Sequence, residues 1–135
     1  MALITWTDNL SVSVTEVDEQ HKKLVAMINE LNEAMQQGKG KHVIGNILMG
    51  LADYTGEHFS TEEKYFDQFK YPDSVVHKKE HQEFVAKVGD FIKEFDAGKV
   101  MLSVQVMGFL KEWLVKHIQG SDKGYSPCFN QHGFN

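Results

Sequence analysis

Arginine is absent from this 135-residue chain: all 14 basic residues are lysines, set against 19 acidic ones, for a net charge of −5. With no guanidinium forks and no basic block, it lacks the usual means of gripping phosphates and base edges, so nucleic acid is not an expected partner. A single cysteine, Cys128, rules out an internal disulfide and fits a reducing compartment. No second thiol stands near it to complete a redox or zinc motif. No apolar run is long enough for a membrane span. Residues 1–10 have neither a basic start nor the apolar stretch of a signal peptide, so the expected location is the cytoplasm. Only two prolines interrupt the chain, which favours helices over a β-sandwich. The length suits one domain with its own core.

Three interruptions divide the sequence: Gly38-Lys39-Gly40, Tyr71-Pro72-Asp73 and Gly98-Lys99. Glycine supplies helix C-caps, and proline is tolerated only near a helix start. Between the breaks, apolar residues recur every three or four positions, the period of one helix face. The stripes run Leu24, Ile28, Leu31, Met35; then Ile44, Ile47, Leu51, Phe66, Phe69; then Phe84, Val88, Phe91, Phe95; and last Leu102, Val106, Phe109, Trp113. This spacing predicts helices over about 18–37, 41–69, 74–97 and 101–119, with a C-terminal tail at 120–135. Such short connections force antiparallel neighbours, so the expected fold is all-α, an up-down-up-down four-helix bundle. Residues 1–17, with Trp6 and the alternating Val12 and Val14, predict an ordered arm over the bundle, or alternatively a short strand.

Polar residues stand where those stripes call for hydrophobes. His21 precedes Leu24 by three; His58 and Glu62 fill the gap between Leu51 and Phe66; His77 and His81 lead into Phe84; His117 follows Trp113 by four. Measured from the hairpins they lie level. His21 is 16 residues before Gln37 and His58 is 17 after Lys41, while Glu62 and His81 flank Pro72 at similar distances. Likewise His81 is 16 before Ala97 and His117 is 16 after Met101. At about 1.5 Å of rise per residue, all four helices deliver imidazole or carboxylate into one layer of the core. One histidine on an apolar face is ordinarily a hydrogen-bonded core residue. Five with a buried Glu and no buried base are not, because Lys23 and Lys64 fall off the stripes. The pairs His58-x3-Glu62 and His77-x3-His81 each aim two donors from one helix face at a common centre. His42 and His132 lie away from the layer and are expected to be solvated.

The donor set is nitrogen and oxygen without thiolate, which disfavours structural zinc and iron–sulfur clusters. To bridge a metal pair a second carboxylate is needed, and Asp122 is the candidate. On an ideal α-helix a residue five positions beyond His117 is rotated about 140° from it. Sharing a metal therefore requires a π-type widening or a helix end, which Gly120 makes inexpensive. With Glu62 and Asp122 bridging two octahedral ions, five imidazoles and a bridging hydroxide fill every position but one. Neutral nitrogen donors favour iron(II) and make binding of oxygen easier than its cleavage. The Glu-x-x-His motifs of oxygen-activating bundles do not occur.

These residues resemble the haemerythrin family, in particular its single-domain bacterial form, bacteriohaemerythrin. The likeness covers the Trp6 arm, Asp18-x2-His21-Lys22-x-Leu24, His58-Phe59-x2-Glu62, His77-x3-His81 and Trp113-Leu114-x2-His117-Ile118-x3-Asp122-Lys123-x-Tyr125. The resemblance implies a non-haem di-iron centre, oxo- or hydroxo-bridged. One iron would take His77, His81 and His117, the other His21 and His58, with Glu62 and Asp122 bridging. Dioxygen would bind at the second iron in a pocket of Phe59, Trp113, Leu114, Ile118 and Tyr125. The expected function is reversible dioxygen binding rather than catalysis: a carrier, store or local supplier, as a monomer, with an oxygen-consuming enzyme as recipient. The alternatives are an oxygen or redox sensor or interaction module, and a protein handling peroxide, nitric oxide or damaged iron centres. Sensor versions are usually fused to a signalling domain and repair versions tend to carry a cysteine-bearing segment; neither stands in these 135 residues.

Overall fold

A computed structural model describes residues 2–98 and 104–135, apart from the side chains of 104 and 105. The chain forms an antiparallel four-helix bundle: α1 (Thr15–Gln36), α2 (Lys41–Phe69), α3 (Ser74–Asp96) and α4 (Val104–Lys116). The predicted start of the fourth helix at 101, and Leu102 on its stripe, lie outside the described residues. Punctuation acts as its chemistry requires. Gly38 takes φ 66° just past α1, letting the Lys39 N–H return to the Ala34 carbonyl at 2.9 Å. Pro72 follows the end of α2, where Lys70 adopts the left-handed conformation.

The apolar stripes of α1 to α3 bury Leu24, Ile28, Leu31, Leu51, Phe66, Phe84 and Val88 between the helices. On α4 the buried face is turned from the one predicted. Val106, Met107, Leu110 and Leu114 enter the core, whereas Phe109 and Trp113 are half-buried. Their large rings seal the seam with α3 instead: Trp113 lies 4.2 Å from Phe84 and Phe109 lies 5.6 Å from Phe91, between ring centroids.

The predicted tail is corrected. Past Lys116 the chain continues as a π-turn, His117–Asp122, and then as α5, Lys123–Gln131. Gly120, Gly124 and Pro127 read as loop signals, yet Tyr125 and Phe129, one helical turn apart, are both fully buried. Their hydrophobic burial outweighs the local preference for a break. The N-terminal arm is no strand. Ser13 at φ 59° interrupts the extended run between Val12 and Val14, and both valines are buried. Asp18 fixes the arm by accepting from Ser11 Oγ (2.6 Å) and the Val12 N–H (2.8 Å), and Asn130 of α5 donates to the Ser13 carbonyl (3.0 Å).

Phe129→Ala should therefore cost the metal-free protein about 3 kcal/mol or more, the usual penalty for emptying a buried aromatic site. Urea unfolding followed by circular dichroism measures it. A cost below about 1 kcal/mol would make α5 a peripheral tail.

Candidate metal centre

Each helix contributes to one buried layer: His21 from α1, His58 and Glu62 from α2, His77 and His81 from α3, His117 and Asp122 from the two ends of the π-turn. All seven are at most 5 % exposed. The π-turn resolves the angular mismatch between His117 and Asp122. Its widened coil, marked by the Lys123 N–H reaching back to the Ile118 carbonyl, brings His117 Nε2 to 3.1 Å from Asp122 Oδ1.

The seven residues fall into two overlapping groups whose donor atoms lie within 4.8 Å of one another: His77, His81, His117, Glu62 and Asp122, and His21, His58, Glu62 and Asp122. Both carboxylates belong to both groups. In the first, His77 Nε2 is 2.8 Å from Asp122 Oδ1 and 3.0 Å from His117 Nε2, and His81 Nε2 is 3.2 Å from His117 Nε2. In the second, His21 Nε2 is 3.0 Å from Asp122 Oδ2, and His58 Nε2 is 3.3 Å from Glu62 Oε1. Glu62 Oε1 is also 3.3 Å from His81 Nε2.

These separations fit a bound cation better than a hydrogen-bond network. An octahedral ion with metal–ligand bonds of about 2.1 Å holds adjacent donor atoms about 3.0 Å apart, the range seen around the layer. Conversely, Glu62 Oε1, both Asp122 oxygens and both ring nitrogens of His21 are buried without an aligned hydrogen-bond partner. Buried polar atoms are costly to leave unmatched, and cations in the layer would match the carboxylate oxygens and His21 Nε2, though not the outward Nδ1. The donors are nitrogen and oxygen without thiolate, a set that can hold non-haem metal ions.

The structure also shows what turns three of the five rings inward. His58 Nδ1 is 2.6 Å from Gln20 Oε1, His81 Nδ1 is 2.9 Å from Glu63 Oε2, and His117 Nδ1 is 3.1 Å from Glu80 Oε1. Ser121 Oγ donates to the same Glu80 oxygen at 2.6 Å. Sequence reasoning missed these acceptors. Each sits beside a ligand in the chain but serves a histidine on a neighbouring helix, so only the packed bundle reveals the pairing.

Of the five residues expected to line a pocket, Phe59 stacks on His81 (centroids 3.7 Å apart, planes 4° apart) and Trp113 on His117 (4.3 Å, 15°). Leu114 and Ile118 are buried on either side of His117 in the chain. Tyr125 has a more specific place: its buried hydroxyl donates to Glu62 Oε2, so it holds a carboxylate. His42 and His132 are exposed and away from the layer. His132 stacks on Phe69 at 4.5 Å and Cys128 is half-buried near the Phe69 carbonyl.

A family model described as the Hemerythrin HHE cation binding domain matches residues 12–129. A bacteriohemerythrin of Methylococcus capsulatus is 37% identical over 96% of this chain and 99% of its own length. Another, from Pseudomonas aeruginosa, is 38% identical over 93% of this chain and 80% of its own. The crystal structure of a wild-type hemerythrin superposes with a TM-score of 0.90 at 37% identity, covering 94% of this chain and 98% of that one.

Without metal, the layer is held by its own charges. Burial alone would lower the pKa of His117, but the charge and hydrogen bond of Asp122, with Glu62 and Glu80, raise it to about 9. Burial alone would raise Asp122, but the His117 charge and the close imidazole nitrogens of His117, His21 and His77 hold it well below the usual carboxylate range. A histidine whose folded pKa is raised contributes its full stability below the unfolded value of 6.5 and loses it as pH climbs through about 9. The depressed carboxylate contributes above its ordinary value near 3.8 and loses it as pH falls. The metal-free protein should thus have its highest urea midpoint at mildly acidic pH and lose stability between about pH 6.5 and 9. Midpoints measured across that window check this, and a flat profile would contradict it.

Proposed function

Starting from a chain that belongs to the haemerythrin family, we propose that it binds dioxygen reversibly at a non-haem di-iron centre and serves as an oxygen carrier, store or local supplier. The observation that carries this reading is the pair of buried donor groups sharing both Glu62 and Asp122. His77, His81 and His117 would hold one iron, His21 and His58 the other, with both carboxylates between them. Two irons so held would supply reversible electron transfer to dioxygen.

The protein's own residues set the conditions for reversibility. Five neutral imidazoles against two carboxylates leave the centre less anionic than an all-carboxylate shell, which disfavours the high oxidation states needed to cleave oxygen. Tyr125 holds Glu62 by a hydrogen bond, keeping that carboxylate in the bridging position. Phe59 and Trp113 lie against the ligand rings, and Leu114 and Ile118 close the layer beside His117. An apolar wall excludes water, limits protonation of the bound ligand and strengthens any hydrogen bond that retains it. Among the described residues no helix is long and apolar enough to cross a membrane.

Metal analysis of protein from iron-supplied cells should approach two irons per chain, and Glu62→Ala should lose iron. Zinc bound stoichiometrically in place of iron would contradict the assignment. Leu114→Ala and Ile118→Ala should keep both irons but admit water. In stopped-flow measurements oxygen should exchange several-fold faster, and the oxygenated form should decay sooner to the oxidised one. If these variants match the parent while Phe59→Ala changes the rates, the gate lies on α2 instead.

A further inference from the structure

Five imidazoles present Nε2 to the layer, but their outward Nδ1 atoms meet unequal surroundings. Around the three-histidine group, His81 and His117 face carboxylates, Glu63 and Glu80. Around the two-histidine group, His58 faces the neutral amide of Gln20, and His21 Nδ1 is buried with no partner. The acceptors pass from helix to helix. Gln20 of α1 serves α2, Glu63 of α2 serves α3, and Glu80 of α3 serves His117 beyond α4. Among the described residues nothing comparable reaches His21 Nδ1.

An anionic acceptor on Nδ1–H fixes the tautomer, orients the ring and increases the electron density that Nε2 offers a cation. A neutral amide orients the ring without adding charge, and an unpartnered ring gains neither. Both acceptors reach the surface: the side chains of Glu63 and Glu80 are 32% and 35% exposed. Each lines a surface cleft, Glu63 beside Phe59 and His81, Glu80 beside His77 and Gly120. Glu62 and Asp122 are common to both groups, whereas histidine number and these outer acceptors differ between them.

We propose that Glu63 and Glu80 are positioning residues that make the three-histidine group the stronger cation position, so that the first equivalent settles at His77, His81 and His117 and the second, weaker one at His21 and His58. This rests on the reading that both groups hold a cation. Asymmetry of this kind orders assembly: the better-held ion draws both carboxylates into place before the weaker position is complete. It also makes the two-histidine ion the first to leave.

The test is cobalt(II) titration of the metal-free protein. Absorption and chelator competition give the two affinities, and NMR of the imidazoles identifies which histidines respond in each step. The first equivalent should shift His77, His81 and His117, and the second His21 and His58. Glu63→Gln and Glu80→Gln keep a hydrogen-bond acceptor but remove its charge. Each should weaken the first step about tenfold, the scale on which such outer partners act, with little effect on the second. Gln20→Glu should strengthen the second step and narrow the gap. Circular dichroism on each variant establishes that the bundle is intact. If two equivalents bind but the Gln variants leave the first step unchanged, or weaken both steps alike, the proposal is overturned while the two-cation reading stands. If the parent protein takes up fewer than two equivalents, both are overturned.

Discussion

Glu62 and Asp122 are carboxylates with no solvent exposure whose pKa values are held low, and among the described residues no lysine pairs with them. Isolated, each would cost several kcal/mol to bury even after relaxation. The bundle surrounds them with five imidazoles, which can balance that charge when protonated or share it with bound cations. Much of the architecture follows from this requirement. Ligands must come from every helix because one helix face can aim only two or so donors at a point. The fourth helix must widen into a π-turn because its two donors are five residues apart. Tyr125 brings its hydroxyl inward and satisfies Glu62 Oε2 with a hydrogen bond.

The segment beyond the π-turn shows how packing and site chemistry depend on each other. Tyr125 and Phe129 fasten α5 to the bundle and bring the tyrosine hydroxyl to the Glu62 carboxylate. The arm is in turn held by Ser126 and Asn130 of the same helix. A segment that reads as a loose end thus carries a hydrogen bond to the centre and a clamp on the N-terminus. Its stability and the geometry of the carboxylates are therefore expected to change together.

Most of the fold was legible because helix period and glycine or proline punctuation are local signals. The second helix was placed at 41–69, where α2 runs from Lys41 to Phe69, since a glycine pair and a proline bound it. The layer of donors was legible for a different reason: His21, His58, Glu62, His77, His81 and His117 break an otherwise apolar pattern, and counting from the turns sets their heights. Asp122 was reached through the need for a second carboxylate, and its angular mismatch with His117 pointed to the irregular turn. Less legible features depended on tertiary contact. The face of α4 was mistaken because Phe109 and Trp113 are strongly apolar, yet they pack at an edge. The length of α5 was missed because burial of Tyr125 and Phe129 overrides Gly124 and Pro127. Gln20, Glu63 and Glu80 were invisible because an acceptor for a neighbouring helix has no fixed spacing along the chain.

Reversibility is the central claim, and one optical experiment addresses it. Iron(II)-loaded protein is examined in the visible range under argon, exposed to dioxygen, and returned to argon with the oxygen removed, over several cycles. The account predicts absorption that appears with dioxygen, vanishes on its removal and returns with little loss in each cycle. A single irreversible change to the oxidised spectrum on first exposure, with no recovery under argon, would contradict it.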